Sequence, residues 1–312
     1  MKPLRIGTRG SALALAQARA VAEALPVAAE LVHITTAGDI DRAHGDKSRW
    51  VGALETALVA GEIDLAVHSA KDVPGELAPG TAIVAAPRRA DPLDVLIGEP
   101  ELDAVREGAR VGTSALRRRA QLLALRPDLE VRELRGNVDT RLAKRAAGEV
   151  DVLVLAAAGL ERLGRGDEAG GHLRGELFVP APGQGIVAVQ AREGGPAAEV
   201  AVVASHGRTL ACLEAERAVV RELDASCHTP VGVHADSVRI CGFAGLPDGS
   251  SWLVDEVAVA AGPGPGGEGG READREAHRE SDLVAAGREL ARRMLAAGAA
   301  ELLRDAEAMA SP

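Results

Sequence analysis

The sequence predicts an α/β protein with a smaller α+β region at its carboxyl-terminal end. Short apolar stretches alternate with helical patterns through the first half of the chain, which is typical of parallel strands joined by crossover helices. The chain has 312 residues, enough for two or three domains with separate cores. From about Arg221 the pattern changes to short strands followed by one long amphipathic helix.

The first elements follow from apolar stretches and the residues that flank them. Strands are predicted at residues 4–6, 31–35 and 63–67. Ser11 is a good N-cap and begins a helix that runs to about Leu25, and residues 52–61 form a second helix. The strand 63–67 leads directly into the polar cluster H-S-A-K-D-V-P at 68–74. We therefore expect that cluster at the carboxyl end of a buried strand.

The pattern starts again after the turn at Asp91-Pro92. Further strands are predicted from Val111 and at 131–134, 152–155 and 186–190. The first three lead into helices that carry Arg117, Arg118 and Arg119, then Arg141, then Arg162. Each of these three strands therefore passes into a helix start that bears arginine.

The last third of the chain is predicted to form the α+β region. A helix from about Gly207 precedes strands at 231–234, 238–243 and 252–261, and a single helix at about 281–303 closes the chain. Residues 262–270 contain a G-x-G-x-x-G match at Gly264, Gly266 and Gly269. Two prolines and a charged run nearby favour a flexible loop over a dinucleotide-binding turn.

Composition excludes several classes of function. The formal net charge of −10, without a long basic run, disfavours nucleic acid as a partner. Neither a secretory signal nor a membrane-spanning segment is evident, so we expect a cytoplasmic protein with no membrane partner. The three cysteines lack C-x-x-C spacing, which indicates neither a disulfide framework nor a structural zinc site.

The cysteines differ in their surroundings. Cys212 lies in a helical pattern and Cys241 in a strand, so both are predicted to be small core residues. Cys227 lies in the polar segment L-D-A-S-C-H-T-P-V-G, where little apolar surface is available for packing. On local grounds a covalent role and an incidental exposed thiol stay open for Cys227. A metal site with His228 and His234 is disfavoured because no matched ligand set is present.

Arginines at strand-to-helix junctions suggest a site for a polyanion. In open α/β sheets, ligands bind beyond the carboxyl ends of strands, and a guanidinium there can hold a carboxylate or phosphate through two hydrogen bonds. The recurring residues are Arg9, Arg117, Arg118, Arg135, Arg141 and Arg162. Any one of them alone would fit solvated surface, but their recurrence favours a ligand with many negative charges.

The neighbouring Lys71 and Asp72 suggest chemistry at the same edge. A carboxylate beside a cation stays ionised and can hold an N–H group, stabilise a developing positive charge or move a proton. The alternative is a surface ion pair. A Ser-Lys hydrolase with Ser69 and Lys71 is disfavoured, because this spacing on a strand supplies no oxyanion turn.

Seven segments together closely resemble the porphobilinogen deaminase family, also called hydroxymethylbilane synthases. In chain order they are R-I-G-T-R-G-S-A-L-A-L-A-Q-A (5–18), I-D-L-A-V-H-S-A-K-D-V-P (63–74), V-G-T-S-A-L-R-R-R-A-Q-L (111–122), L-R-G-N-V-D-T-R-L (134–142), L-A-A-A-G-L-E-R-L-G (155–164), P-A-P-G-Q-G (180–185) and C-H-T-P-V-G (227–232). They span nearly the whole chain in the family's order.

The resemblance implies two α/β domains of the type-II periplasmic-binding-protein kind and a third α+β domain that bears the cysteine. Domain 1 would comprise residues 1–88 and 186–203, domain 2 residues 92–179 and domain 3 residues 207–312. Segments near 88–92 and 179–186 would act as hinges.

The resemblance also implies an activity. Family members join four porphobilinogen molecules head to tail, with loss of ammonia, on a dipyrromethane primer, and then release the linear tetrapyrrole by hydrolysis. Each pyrrole carries an acetate and a propionate, and loss of ammonia leaves a cationic azafulvene-like electrophile. The match makes Asp72 the catalytic residue, and Cys227 the residue that holds the dipyrromethane through a thioether. The cofactor-binding residues are then Lys71, Ser114, Arg117 and Arg118, and the substrate-binding residues are Arg9, Ser11, Trp50, Arg135, Arg141 and Arg162. No metal is implied, and the family suggests a monomer.

Three positions depart from the family's pattern. Ala225-Ser226 replaces two glycines before the cysteine, D-K-S-R-W at 46–50 replaces the lid sequence G-K-G-x-F, and Ala70 replaces a larger apolar residue. Trp50 would take over stacking from the expected Phe. Two other classes of protein stay open: a non-catalytic binding protein for a small polyanion, and a redox sensor that uses Cys227.

Overall fold

The computed structural model describes residues 2–36, 48–226, 229–259 and 272–310, which form three sheets with helices packed against them. In chain order the strands are β1 (Leu4–Thr8), β2 (Ala29–His33), β3 (Leu65–Ser69), β4 (Thr81–Ala85), β5 (Asp94–Ile97), β6 (Arg110–Gly112), β7 (Glu130–Arg132), β8 (Val152–Ala156), β9 (His172–Leu173), β10 (Val187–Arg192), β11 (Val231–Ala235), β12 (Arg239–Gly245) and β13 (Trp252–Ala258). The α-helices are α1 (Ala12–Ala24), α2 (Ser48–Val59), α3 (Leu116–Leu125), α4 (Val138–Ala146), α5 (Ala157–Arg162), α6 (Pro196–Ala201), α7 (Gly207–Glu222), α8 (Glu272–Ala296) and α9 (Ala299–Ala310). The predicted mixed α/β architecture with a smaller carboxyl-terminal sheet and helix region is confirmed.

The first sheet has the strand order β2-β1-β3-β10-β4. Strand β1 pairs in parallel with β2 and β3, but β10 pairs antiparallel with β3, opposing Val187 to Ser69, and with β4. The expectation of a parallel sheet is therefore wrong for this half of the sheet. The reason is that the chain forms the second sheet first and then comes back to the first, where β10 lies between β3 and β4, two strands from much earlier in the sequence.

The second sheet repeats this arrangement with the order β7-β6-β8-β5-β9. Strand β6 pairs in parallel with β7 and β8, whereas β5 pairs antiparallel with β8 and β9. Strands β6, β7 and β8 each lead into a helix, α3, α4 and α5 respectively. Their carboxyl ends lie at one edge of the sheet, where helix N-termini point unpaired N–H groups outward.

The third sheet, β11-β12-β13, is antiparallel and packs against α7, α8 and α9. The single carboxyl-terminal helix predicted for 281–303 is wrong, because α8 ends at Ala296 and α9 starts at Ala299. Gly298 between them has a φ of +97°, a left-handed conformation that commonly ends a helix. Within the described ranges, no helix combines the length and apolar character that crossing a membrane requires.

Two apolar contacts join the sheets to one another. Leu213 of α7 packs against Ala70 and Ile186 behind the first sheet. Phe243 of β12 packs against Ala120 of α3 and Val179 beside the second sheet. Each sheet with its packed helices is called a unit below, and the third unit therefore packs against both of the others. Its contact with Ala70 lies directly beside the polar cluster that follows β3.

A buried carboxylate ties the connecting segments together. Glu216 of α7 is fully buried and its oxygens accept hydrogen bonds from Arg89 Nη1 (2.6 Å), Gly183 N (2.6 Å) and Ala235 N (2.8 Å). Arg89 and Gly183 lie in the two segments that connect the first and second sheets. Because a buried carboxylate needs partners, Glu216 holds both connections against the third sheet.

Candidate active site

A cavity of about 1710 Å³ opens where the three units meet. Its lining includes many residues that follow strand ends, as parallel topology requires. Those singled out in the sequence are Arg9, Ser11, Lys71, Asp72, Ser114, Arg117, Arg118, Arg135 and Arg141. The structure thus brings the Lys-Asp pair and most of the predicted arginines to one cavity.

The Lys-Asp pair lies on a short, well-supported turn. Residues Ala70–Asp72 form a single 3₁₀ turn directly after β3, with Ala70 N donating to Ile186 O at 3.0 Å. Gly183 packs on the back of this turn with a φ of +71°, and a Cβ there would lie 2.9 Å from Ala70 Cβ. The turn is therefore held from behind by the second connecting segment, and Lys71 and Asp72 face the cavity.

The surroundings change the acidity of Lys71. Burial, together with the positive charge of Arg118, lowers the pKa of Lys71 to about 8, although the Asp72 carboxylate opposes the change. Lys71 is half-buried beside the cavity. It therefore carries its charge at neutral pH and loses it at a pH where an ordinary lysine is still protonated.

Arg117 and Arg118 share one buried carboxylate. Arg117 Nη2 donates to Asp94 Oδ2 at 2.7 Å, and Arg118 donates from Nε and Nη2 to Asp94 Oδ1 at 3.0 and 2.7 Å. Each of the three residues is at most 5% exposed. Burial raises the pKa of Asp94, but the charges of the two arginines outweigh it and hold that pKa well below its usual range. The cluster keeps a net positive charge at the cavity wall.

The guanidinium groups of Arg117 and Arg118 do not use all of their N–H donors on protein acceptors. Arg117 also bonds to Gln121 Oε1 and Val179 O, and Arg118 also bonds to Val154 O. Each guanidinium carries five N–H groups, and each uses three of them on these protein acceptors. Two N–H groups on each arginine are therefore not used by these acceptors.

Arg141 provides a further donor on the same wall. Its Nη2 donates to Ser114 Oγ at 3.1 Å, and burial lowers the pKa of Arg141 to about 10. Arg141 Nε is buried and has no hydrogen-bond partner among the described residues. Asn137, at the start of α4, caps that helix by accepting from Thr140 N at 2.8 Å. Arg135 is more exposed and pairs with Glu133.

Three predicted site residues are not placed in this cavity. Arg162 is the last residue of α5, not part of a helix start, and its Nη2 donates to Gly185 O at 2.6 Å. It is absent from the cavity lining because it reaches the connecting segment instead. Cys227 and the Trp50 side chain lie outside the described residues. Ser226 and Thr229, which flank Cys227 and His228 in the chain, both line the cavity.

The other two cysteines are held within the third unit. Cys212 is buried and Cys241 is half-buried, and burial raises the pKa of each thiol to about 11. A thiol with a raised pKa is a poor nucleophile near neutral pH. In the described ranges, no three His, Cys, Asp or Glu side chains come together as a group that could bind a metal ion.

Sequence reasoning missed three residues of this site. Asp94 was not selected because nothing in the sequence shows that it is the shared partner of two arginines. Gln184 lies in the segment P-A-P-G-Q-G but carried no assigned role. Arg217 of α7 is buried, lines the cavity and donates to Gly75 O at 2.8 Å. The one hint in the sequence that Arg217 belongs to the site is that it precedes Cys227 by ten residues.

The fold and the site together define a class of protein: an α/β protein with a cavity between its units whose many arginines suit a small molecule with several negative charges. Two family models match the chain. The model for the porphobilinogen deaminase dipyrromethane cofactor binding domain matches residues 4–199, and the model for the porphobilinogen deaminase C-terminal domain matches residues 210–295.

Individual proteins agree with the family models. The porphobilinogen deaminase of Stenotrophomonas maltophilia strain K279a is 47% identical over 282 residues, covering 84% of this chain and 93% of its own. That of Thermobifida fusca is 41% identical and covers 98% of this chain and 97% of its own. The chain belongs to the porphobilinogen deaminase family.

One solved structure similar to this chain is a substrate-binding domain of a putative amino acid ABC transporter from Streptococcus pneumoniae. It is 11% identical, with a TM-score of 0.41, and the alignment covers 65% of this chain and 90% of that one.

Proposed function

We propose that the cavity binds porphobilinogen and that Asp72 is the catalytic residue. As a member of its family, the chain is a transferase that polymerises porphobilinogen into hydroxymethylbilane in tetrapyrrole biosynthesis. The observation that supports this use of the cavity is that the Lys71–Asp72 turn and a group of arginines line the same cavity. That arrangement suits a substrate that carries carboxylates at its edge and develops positive charge during reaction.

The dipyrromethane cofactor of the family fits the residues present. Two linked pyrroles bring four carboxylates, and the wall offers N–H donors on Arg117 and Arg118 besides the buried Arg141 Nε. We propose that Lys71, Ser114, Arg117 and Arg118 hold the group and that Cys227 bears it covalently through a thioether. When bound, it supplies the primer to which substrate units are added.

Substrate carboxylates are assigned to the remaining polar groups of the wall. We propose Arg9, Ser11, Arg135 and Arg141 as substrate-binding residues, with Arg162 and Trp50 contributing when the chain rearranges around a longer product. Charge-assisted pairs of this kind fix orientation as well as position. Holding the reacting carbon atoms close together makes each condensation effectively intramolecular.

Asp72 has two tasks in this proposal. Its carboxylate stabilises the positive charge that develops on the substrate as ammonia leaves, and it accepts or returns a proton at the pyrrole nitrogen. The neighbouring Lys71 is a cation at neutral pH. The support from behind by Gly183 limits movement of the turn during the reaction.

The domain division stated for the family is also a proposal for this chain. Residues 1–88 with 186–203, 92–179 and 207–312 would be domains 1, 2 and 3, the first two of the type-II periplasmic-binding-protein kind. Segments 88–92 and 179–186 would be the hinges, both of which attach to Glu216. We further propose that the protein acts as a monomer in the cytoplasm, with neither nucleic acid nor membrane as a partner.

Intact mass of the purified protein tests the proposal. Wild type should exceed its sequence mass by two deaminated porphobilinogen units and should gain further increments when substrate is added. Cys227→Ser should show neither, whereas the matched control Cys241→Ser should behave as wild type, because Cys241 lies in β12 with a raised thiol pKa. A wild-type mass equal to the sequence mass, unchanged by substrate, would instead favour a binding protein or a thiol sensor.

A further inference from the structure

Two arginines of α7 line the cavity on the side of the third unit. Arg217 and Arg221 lie four positions apart on this helix, so their side chains leave the same face of it. Both belong to the cavity lining, as does Val220 between them. The arginines of the site described above belong to the first two units. Helix α7 therefore adds positive charge on a third side of the cavity.

Both side chains lie against Gly75, which follows Asp72 by three positions. Arg217 Nη2 donates to Gly75 O at 2.8 Å. A Cβ at Gly75 would lie 3.6 Å from Arg221 Cγ, so the stem of Arg221 passes over the same residue. The two arginines therefore lie beside the segment that follows the Lys71–Asp72 turn.

Most N–H donors of these two arginines have no protein acceptor. Within the described residues, Arg217 Nε and Nη1 make no hydrogen bond, and neither atom is shut off from solvent. Arg217 as a whole is only 6% exposed, but these N–H groups are reachable from the cavity that the residue lines. Arg221 is exposed and likewise makes no hydrogen bond to the described part of the chain.

Neither arginine has a carboxylate partner in the ranges that the structure describes. Arg117 and Arg118 are buried to a similar degree as Arg217, and both pair with Asp94. By contrast, no described carboxylate oxygen lies within 4.0 Å of the nitrogens of Arg217 or Arg221. A buried charge without a partner costs free energy, which a ligand carboxylate would recover.

Acidic residues do lie on the same side of the cavity. Glu76 and Asp224 both belong to its lining, but neither forms an ion pair with Arg217 or Arg221. The two guanidinium groups thus keep their charge uncompensated although carboxylates are near. This is the arrangement expected of a site that receives its anion from a ligand.

The chemistry of the substrate identifies that anion. Porphobilinogen carries an acetate and a propionate, so the growing product gains two carboxylates with every condensation. We propose that Arg217 and Arg221 bind carboxylates of pyrroles already joined to the growing product, and that this subsite serves the later condensations. The inference rests on the proposed function of the cavity.

The position of α7 relates the subsite to the later condensations. In the proposed function the product stays tethered at Cys227 while each new pyrrole reacts beside Asp72. Pyrroles joined earlier must then move away from Asp72 but remain near the tether. Ser226 and Thr229, on either side of the tether, line the cavity, and α7 is the helix that leads to them.

Two variants and a control separate this role from a structural one. Arg217→Gln keeps a donor for Gly75 O but removes the charge and the forked donor set. Arg221→Gln removes the charge of an exposed side chain without hydrogen bonds to the described residues, so its effect on the fold should be small. Arg208→Gln is the matched control, because Arg208 is an exposed arginine of the same helix that does not line the cavity.

The measurement is the intact mass of each protein at successive times after a limited amount of porphobilinogen is added. The rate of the third and fourth additions, divided by that of the first, should fall about tenfold in Arg217→Gln and about threefold in Arg221→Gln. The rise in melting temperature on loading with substrate should also be smaller in both variants than in wild type. Arg208→Gln should match wild type in both measurements.

Two results would overturn the inference. One is a wild-type ratio of later to first additions in both Arg217→Gln and Arg221→Gln. The other is a change confined to Arg217→Gln that slows every addition equally, because Arg217 would then act only through Gly75. A wild type that carries no primer and gains no mass with porphobilinogen would instead fail the proposed function.

Discussion

Replacing Asp94 with asparagine should destabilise the protein strongly while changing almost no volume. The Asp94 carboxylate accepts hydrogen bonds from Arg117 Nη2, Arg118 Nε and Nη2, and Gln184 Nε2, and it is 4% exposed. Asp94→Asn leaves two buried guanidinium charges without a counter-charge and turns an amide NH₂ toward donors. Breaking a buried ion pair by removing one partner costs about 3–5 kcal/mol.

That free energy predicts a measurable change in melting temperature. At about 2–4 °C for each kcal/mol in a domain of this size, Asp94→Asn should melt about 6–20 °C lower than wild type. The control is Asp139→Asn, the same chemical change at a carboxylate that is 54% exposed and pairs with Arg165. An exposed pair is worth at most about 1 kcal/mol, so the control should melt within a few degrees of wild type.

The pH dependence of this difference follows from the direction of the Asp94 pKa. Because that pKa lies below the ordinary value, Asp94 contributes its full stabilisation above the unfolded-state pKa of about 4 and loses it only as the pH falls further. The difference between wild type and Asp94→Asn, measured by differential scanning calorimetry, should therefore be constant from pH 8 to pH 5. Equal melting temperatures for Asp94→Asn and Asp139→Asn would refute the reasoning that Asp94 holds the arginine charges.

Three other perturbations test separate parts of the molecule. Lys71 has a pKa of about 8, so KM for porphobilinogen should rise above pH 8 in wild type, and a pH series should show that Lys71→Arg delays this rise. Glu216→Gln should lower the free energy of unfolding in urea by about 3–5 kcal/mol, since Arg89 loses its buried partner. A loss below about 1 kcal/mol would show that Glu216 does not hold the connecting segments of Arg89 and Gly183. Gly183→Ala requires a left-handed alanine pressed against Ala70, so kcat should fall about tenfold or more as the Lys71–Asp72 turn is displaced. An unchanged kcat would show that Gly183 does not hold this turn in place.

Local patterns in the sequence predicted the parts of the fold that depend on local interactions. Ser11 caps α1 as expected, with its side chain accepting from Ala14 N at 3.2 Å. The strand-to-helix junctions also gather the arginines at one edge, because parallel strands with right-handed crossovers allow few other arrangements. Arg162 is the exception, since α5 is only six residues long and ends at that residue.

Features that depend on long-range pairing could not be predicted from local sequence patterns. The apolar stretch of β10 has no property that reveals its direction or its neighbours, so the mixed character of the first sheet appears only in three dimensions. Likewise, Asp94 resembles any acidic residue that begins a strand, and its importance comes from two arginines more than 20 positions away. Buried polar partners of this kind are specified by the whole fold.

The position of β10 has a consequence for how the protein is made. The strand that carries His68 and Ser69 cannot complete its sheet until Gln190, 122 positions beyond His68, has left the ribosome. At about 5–20 residues per second, the edge of β3 waits roughly 6–24 s during synthesis without its final neighbour. Closing so long a loop also slows refolding, because the entropy is lost before the contacts form. The Lys71–Asp72 turn that follows β3 should therefore be among the last parts of the nascent chain to reach its native form.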